Sequence, residues 1–219
     1  MYKTRLQKWQ YVHTYNDIPE NTNIVILIRG EIFRKNTCDQ DFIYCMDSVC
    51  KYILPYFENF TFVCDVISPF TERMMQFFEM YKSIIHVLRI KNSAKASQTR
   101  TVIDSIEFAK SIVKTHCPIF VIRCDLLVKM PLKMKPTNAD ILVPWFEKNN
   151  IGGTSDMFFI VMNDSIIIKT LYNNIDKSSL HFLGRSNLQI DTFLDETYCS
   201  DTSKESNPVY DIVDRRKIN

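Results

Sequence analysis

Glycine is scarce in this sequence of 219 residues, which contains 4 where an average chain of this length has about 15. The shortage excludes a collagen-like repeat, and neither a Gly-x-Gly-x-x-Gly motif nor a glycine-rich P-loop is present. Net charge is also small, because 27 Lys and Arg residues oppose 25 Asp and Glu residues. A formal charge of +2 gives no electrostatic reason to expect binding of nucleic acid or of a membrane surface.

Long apolar runs and Cys-x-x-Cys spacings are missing as well. No apolar stretch approaches the roughly 20 residues that span a bilayer, and residues 1–10 lack the apolar centre of a signal peptide. The seven cysteines are odd in number, and several lie in apolar segments, where a reduced thiol packs as a small hydrophobic group. We therefore expect a cytoplasmic location, no transmembrane segment and no structural zinc site.

Short apolar runs alternate with segments of helical spacing along most of the chain. Residues 23–29 (NIVILIR) and 60–67 (FTFVCDVI) are typical of strands buried on both faces. Further strands are predicted at 84–90, 119–122, 141–144 and 157–162, and helices at 39–57, 71–81, from Ser97 or Thr99 to before Pro118, 165–173 and 188–198. From residue 199 the composition becomes polar, so residues 199–219 are interpreted as a tail.

This alternation predicts an α/β fold, with a mostly parallel central sheet flanked by helices. Ligand sites in such sheets form at the carboxyl ends of the strands, so the residues at those ends are the first candidates for function.

Charged residues stand at the ends of the first two predicted strands. Arg29-Gly30 ends the first, with Arg34 just beyond, and an arginine there either holds a phosphate or carboxylate or pairs with a neighbouring acid. Asp65 lies inside the second apolar strand, where an unpaired carboxylate costs several kcal/mol. It either accepts hydrogen bonds from a ribose hydroxyl or a base, or is bonded to loop amides or to a buried arginine.

The fourth strand and the third helix supply two more candidates. Asp125 follows Arg123 and Cys124 at the strand end, where a carboxylate is a natural ligand for Mg²⁺ or Mn²⁺. The alternative is an ion-paired or helix-capping aspartate. Gln98 and Arg100 open the helix, where free N–H groups favour anions, although such residues also serve as ordinary caps.

The strand–helix series followed by Phe120-Val121-Ile122-Arg123-Cys124-Asp125-Leu126 resembles the GT-A fold of nucleotide-sugar glycosyltransferases. Those enzymes have at that point an Asp-x-Asp motif, whose carboxylates hold a metal on the sugar-nucleotide diphosphate. Residues 152–159 (GGTSDMFF) are similar to the acceptor-side stretch of capsule and viral glycosyltransferases. The likeness extends over about residues 23–198 and is to small enzymes of bacterial polysaccharide clusters and large DNA viruses.

The resemblance implies sugar transfer from a nucleoside diphosphate sugar, with a UDP-sugar as the first expectation, to a hydroxyl group of a glycan, glycoprotein or lipid. It implies Mn²⁺ or Mg²⁺ as cofactor and a single catalytic domain at 1–198. A Rossmann-like nucleotide-binding half would occupy about 23–128 and an acceptor half about 129–198. The implied nucleotide-sugar-binding residues are Arg29, Gly30, Arg34, Asp65, Gln98, Arg100 and Arg123, and the implied metal ligands are Asp125 and His181.

On the acceptor side, Asp156 either deprotonates the acceptor hydroxyl or stabilises a turn. Trp145 and Phe146 either stack on a sugar ring or belong to the core, and His181 is either a ligand or a buried histidine between apolar neighbours.

Arg123 replaces the first acid of the motif, so that it can neutralise a diphosphate directly and Asp125 is the motif's only carboxylate. A non-catalytic interaction module with this fold is therefore one alternative function. A second alternative is another nucleotide-using α/β transferase, which normally has a glycine-rich phosphate-binding loop, and the presence of only four glycines argues against it.

Overall fold

Strands and helices alternate through the first part of the computed structural model, which describes residues 10–31, 39–68, 71–91, 97–132, 134, 137–144, 146–147, 153–154, 158–192 and 210–212. The described strands are β1 (Gln10–Thr14), β2 (Ile24–Glu31), β3 (Phe60–Ile67), β4 (Val87–Lys91), β5 (Ile119–Arg123), β6 (Leu126–Val128), β7 (Ile141–Val143), β8 (Phe146–Glu147), β9 (Gly153–Thr154), β10 (Phe158–Val161), β11 (Ile190–Thr192) and β12 (Tyr210–Ile212). The described α-helices are α1 (Asp39–Tyr52), α2 (Thr71–Glu79), α3 (Gln98–Ile112) and α4 (Asp164–Tyr172), and short 3-10 helices lie at Leu54–Tyr56 and His181–Arg185.

Eight of these strands form one sheet in the order β1-β4-β3-β2-β5-β10-β7-β11. The four central strands β4, β3, β2 and β5 are mutually parallel, and β11 is parallel to β7. Strands β1 and β10 run antiparallel to their neighbours. The structure therefore confirms the predicted α/β fold with a mostly parallel central sheet.

Helices cover both faces of this sheet, which explains why its central strands are apolar without alternation. The even-numbered apolar residues of β2 share one core with α1 and α2, represented by Ile26, Phe42 and Phe78. The odd-numbered residues share the other core with α3 and α4, represented by Leu27 and Ile106. None of the described helices combines the length and apolarity that crossing a bilayer requires.

Three local predictions differ from the structure. The predicted helix at 188–198 is wrong where the chain is described, because residues 190–192 form β11 along the open edge of β7. There the β-branched side chains of Ile190 and Thr192 fit a sheet edge better than a helix. The first helix ends at Tyr52 rather than at 57. Within the segment interpreted as a polar tail, β12 pairs antiparallel with β6.

Strand β6 follows Asp125 and is held against α1. The buried hydroxyl of Ser48 accepts a hydrogen bond from the backbone N–H of Val128 at 2.9 Å and donates to the carbonyl of Cys45 at 2.6 Å. Just beyond β6, the N–H of Leu132 donates to the carbonyl of Tyr52 at 2.8 Å. These bonds fix the chain on the carboxyl side of Asp125 to the body of the domain.

We predict that Ser48→Ala lowers the free energy of unfolding by about 1–3 kcal/mol, because the buried N–H of Val128 loses its acceptor. Urea unfolding followed by circular dichroism measures the change. Ser111→Ala is the matched control, since Ser111 makes the same helical bond to the third preceding carbonyl but is exposed; its effect should stay within about 0.5 kcal/mol. Equal losses in the two variants would contradict the role given to Ser48.

Candidate functional site

Four charged side chains lie in one row across the carboxyl ends of the parallel strands. Arg29 of β2 is in register with Arg123 of β5 on one side and with Asp65 of β3 on the other, and Asp65 is in register with Arg89 of β4. Residues at one register position of a parallel sheet project from the same face. We call Arg123, Arg29, Asp65 and Arg89 the carboxyl-edge row.

The row lies on the face of the sheet covered by α3. Arg29, Asp65 and Arg89 are buried and Arg123 is half-buried. The sequence reasoning missed Arg89, although one signal was present, since a lone arginine in the apolar strand VLRIK needs a buried acid as partner.

Asp65 is the centre of a buried ion-pair network. Its Oδ1 accepts from Nε of Arg89 at 2.7 Å, and its Oδ2 accepts from Nη2 of Arg89 and from Nζ of Lys91, each at 2.8 Å. Asp104 of α3 accepts from the same two cations at 3.1 and 2.6 Å. The guanidinium of Arg89 also lies 3.9 Å from the ring centroid of Phe108. These contacts correspond to the structural alternative for Asp65, a carboxylate bonded to a buried arginine, and its contact with a nucleotide stays a prediction.

Arg123 and Asp125 form a second, two-pronged ion pair. Nε of Arg123 donates to Oδ1 of Asp125 at 2.9 Å, and Nη2 donates to Oδ2 at 2.5 Å. The side chains are only 16% and 6% exposed, so water screens the pair weakly. Both carboxylate oxygens of the predicted metal ligand therefore accept hydrogen bonds from one guanidinium.

Gly30 fixes the relative position of the two strand ends that carry Arg29 and Arg123. Its φ is +129°, and a Cβ atom there would lie 2.9 Å from Sγ of Cys124. The N–H of Cys124 donates to the carbonyl of Arg29 at 2.8 Å. Glycine is thus required here by both backbone conformation and close approach. Burial raises the pKa of the Cys124 thiol well above its usual range, so this cysteine acts in packing rather than as a nucleophile.

The start of α3 is capped by protein groups. The N–H and Oγ1 of Thr99 both donate to the carbonyl of Lys177, at 3.4 and 2.9 Å. The N–H of Arg100 donates to Oγ of Ser97 at 3.1 Å, and that hydroxyl donates to the carbonyl of Ile175. The bond of Arg100 corresponds to the capping alternative stated for it, and anion binding by Gln98 and Arg100 stays a prediction.

The structure describes two of the remaining four predicted residues, which are the metal candidate His181 and the acceptor-side residue Phe146. His181 is half-buried at the start of the second 3-10 helix, which lies beside β9. Phe146 lies in β8, which pairs antiparallel with β9, and only its backbone is described. Trp145 and Asp156, like Arg34 of the predicted nucleotide site, fall outside the described residues.

The described side chains around Asp125 give little support to the divalent ion that the resemblance implies, and that ion stays a prediction. Within the ranges given above, no three His, Cys, Asp or Glu side chains are grouped so that they could hold a metal ion. An ion bound to Asp125 would also lie beside the guanidinium of Arg123, and two like unit charges 4 Å apart near a protein surface repel by about 4 kcal/mol. The Arg123–Asp125 contact is thus unfavourable to metal binding.

A separate cleft of about 240 Å³ lies near the amino end of β5, and therefore at the end of the parallel strands opposite to their carboxyl ends. Asp164, buried at the start of α4, contacts the ammonium group of Lys110 in the last turn of α3 there. Each charge has the sign that its helix end favours, which explains the pair as a link between α3 and α4. The cleft is remote from the carboxyl-edge row.

No protein-family model and no curated protein sequence matches the chain. Among solved structures, 4-diphosphocytidyl-2C-methyl-D-erythritol synthase from Anaerococcus prevotii superimposes with a TM-score of 0.52 at 7% identity, over 78% of this chain and 88% of that one. An active-site mutant of LgtC superimposes with a TM-score of 0.50 at 9% identity, over 84% of this chain and 80% of LgtC.

The glycosyltransferase GlyE of Streptococcus pneumoniae is matched over 81% of this chain at 13% identity, with a TM-score of 0.47. This chain spans 46% of the length of GlyE. At these identities the likeness shows the fold alone, and that fold is of the GT-A type.

We predict that Asp65→Asn lowers the free energy of unfolding by about 3–5 kcal/mol, because Arg89 and Lys91 lose their buried counter-charge. Urea unfolding at neutral pH measures this change in the free energy of unfolding. Glu79→Gln is the control, since Glu79 pairs with Lys82 on the surface, where both side chains are more than half exposed; its effect should not exceed about 1 kcal/mol. A loss for Asp65→Asn as small as that of the control would show that the network contributes little to stability.

Proposed function

We propose that this chain is a glycosyltransferase that binds a nucleoside diphosphate sugar, in the first place a UDP-sugar, at the carboxyl-edge row. One observation carries the proposal: Arg29 and Arg123 occupy the same register position on neighbouring parallel strands of a GT-A fold. Guanidinium groups match phosphate oxygens in geometry and charge, and the carboxyl ends of parallel strands are where such folds bind ligands.

At the anomeric carbon the reaction makes one bond and breaks one. The acceptor hydroxyl oxygen bonds to the anomeric carbon of the sugar, and the bond from that carbon to the diphosphate oxygen breaks. The electron pair leaves with the nucleoside diphosphate, and the hydroxyl proton passes to a base. Cationic groups fixed near the departing diphosphate lower the barrier, because they interact most strongly with the charge that develops there. Arg29 and Arg123 are proposed for this role.

The acceptor is proposed to be a hydroxyl group of a glycan, glycoprotein or lipid. LgtC, which shares the fold, is a galactosyltransferase that has been solved with donor and acceptor sugar analogues. Asp156 is proposed as the base in an inverting reaction and as a residue that orients substrate in a retaining one. Trp145 and Phe146 are proposed to stack on the acceptor sugar.

Transfer of a nucleotidyl group is the second candidate. The superposition on the diphosphocytidyl-methylerythritol synthase is as good as that on LgtC, so the fold is compatible with both reactions. The sequence has only four glycines and no glycine-rich phosphate loop, which favours the glycosyltransferase.

Calorimetric titration with UDP, UDP-glucose, GDP-mannose, UTP and CTP tests the proposal. We expect one nucleoside diphosphate sugar to bind. Arg29→Gln should raise its dissociation constant about tenfold or more, because a charge-assisted hydrogen bond contributes about 1.5–3 kcal/mol. Arg73→Gln, which removes an exposed arginine on α2, should leave binding unchanged.

Circular dichroism of both variants checks that the fold is retained. Binding of a nucleoside triphosphate without any nucleotide sugar would favour the second candidate. Binding of none of the five compounds would leave the non-catalytic module as the interpretation.

A further inference from the structure

We infer that the guanidinium of Arg123 supplies, at the donor diphosphate, the positive charge for which the resemblance implies a divalent ion, and that Asp125 positions this guanidinium instead of binding metal. The inference rests on the proposed function, because it concerns how the same site holds the diphosphate.

The net charge of the motif supports a guanidinium in place of the divalent ion. Two carboxylates of an Asp-x-Asp motif and one divalent ion sum to zero. Arg123 and Asp125 also sum to zero, with no ion added. A motif of net charge −2 attracts a divalent cation, whereas a neutral pair has no such attraction. The substitution at position 123 thus removes the electrostatic reason for binding metal and leaves a cation in its place.

The contact geometry points in the same direction. Asp125 accepts hydrogen bonds from the guanidinium through both oxygens, at 2.9 and 2.5 Å, and such a two-bond pair defines the orientation of the arginine. Its carboxylate is only 6% exposed. A metal ion would therefore have to compete with a fixed, weakly screened guanidinium for the same two oxygens.

The surrounding backbone places Arg123 and Arg29 side by side on neighbouring strands. The N–H of Cys124 is bonded to the carbonyl of Arg29, and Gly30 allows the two segments to approach closely. Downstream, Ser48 holds β6 against α1. Asp125 lies between these two anchors, so it can act as a positioning residue, whose removal frees the orientation of Arg123 without touching the ligand.

Titration of the full chain with UDP and with the nucleotide sugar that binds best, in EDTA and in Mn²⁺, tests the inference. We expect the dissociation constants in the two conditions to agree within about twofold. Arg123→Gln should weaken binding about tenfold or more in both. Arg123→Lys should recover only part of the affinity, because an ammonium group keeps the charge but lacks the planar fork.

The role of Asp125 has its own readout. Asp125→Ala should weaken nucleotide binding more than Asp125→Asn, which keeps an acceptor for Arg123, and each effect should be the same in EDTA and in Mn²⁺. In the Arg123→Gln background, Asp125→Ala should have no further effect, since a positioning residue acts only through its partner. Titration of the protein with Mn²⁺ alone, followed by electron paramagnetic resonance, should show no tight site.

Circular dichroism of each variant checks folding, with Arg73→Gln as matched control. Mn²⁺ that tightens nucleotide binding tenfold or more, with loss of that gain in Asp125→Asn, would overturn the inference and make Asp125 a metal ligand. That result would leave the proposed function intact. Failure of every nucleotide to bind in both conditions would instead overturn the proposed function and the inference together.

Discussion

A charge placed at the end of a strand that is covered on both faces must find a partner within the protein, and this constraint organises the carboxyl edge of the sheet. Burial without a partner costs several kcal/mol per charge. Asp65 is bonded to Arg89 and Lys91, and Arg123 to Asp125. Ion pairs at the strand ends therefore follow from the same double covering that makes the strands apolar.

The network around Asp65 and the Arg123–Asp125 pair connect different parts of the fold. The network around Asp65 spans β3, β4 and α3, so it joins two neighbouring strands to the helix that covers them. The Arg123–Asp125 pair is formed by two residues that lie two positions apart in the chain. A pair between such near neighbours in the chain fixes the direction of one side chain, whereas the network around Asp65 ties separate elements together.

Much of the fold follows from the sequence, because strands buried on both faces appear in it as short, continuous apolar runs between polar segments. Strand β3 occupies the residues predicted for it, and the helical spacing located α1 to α4. The edge strand β1 was not predicted, since its pairing with β4 supplies the order that its own five residues do not specify. Strand β11 was mistaken for a helix for the same reason, because its partner β7 lies about 50 residues away.

The positions of the candidate site were predictable, and its pairings were not. The rule that ligands bind at carboxyl ends of parallel strands singled out Arg29, Asp65, Arg123 and Asp125. Which cation meets which carboxylate depends on strand register and on the face from which each side chain projects. The sequence therefore could not show that Asp65 is bonded to Arg89, 24 residues away, or that Asp125 is bonded to Arg123.

A guanidinium in place of a metal ion changes how a site is organised. A divalent ion carries two charges but must be captured and oriented by several ligands, whereas an arginine carries one charge and is attached to the backbone. A single guanidinium therefore offers less charge to a departing diphosphate than an ion does. In the proposed site, Arg29, in register on the neighbouring strand, is the second positive charge. Gly30 and Cys124 hold the two strand ends together. For the proposed reaction, this arrangement places both cations before negative charge develops, so that little reorganisation would be needed.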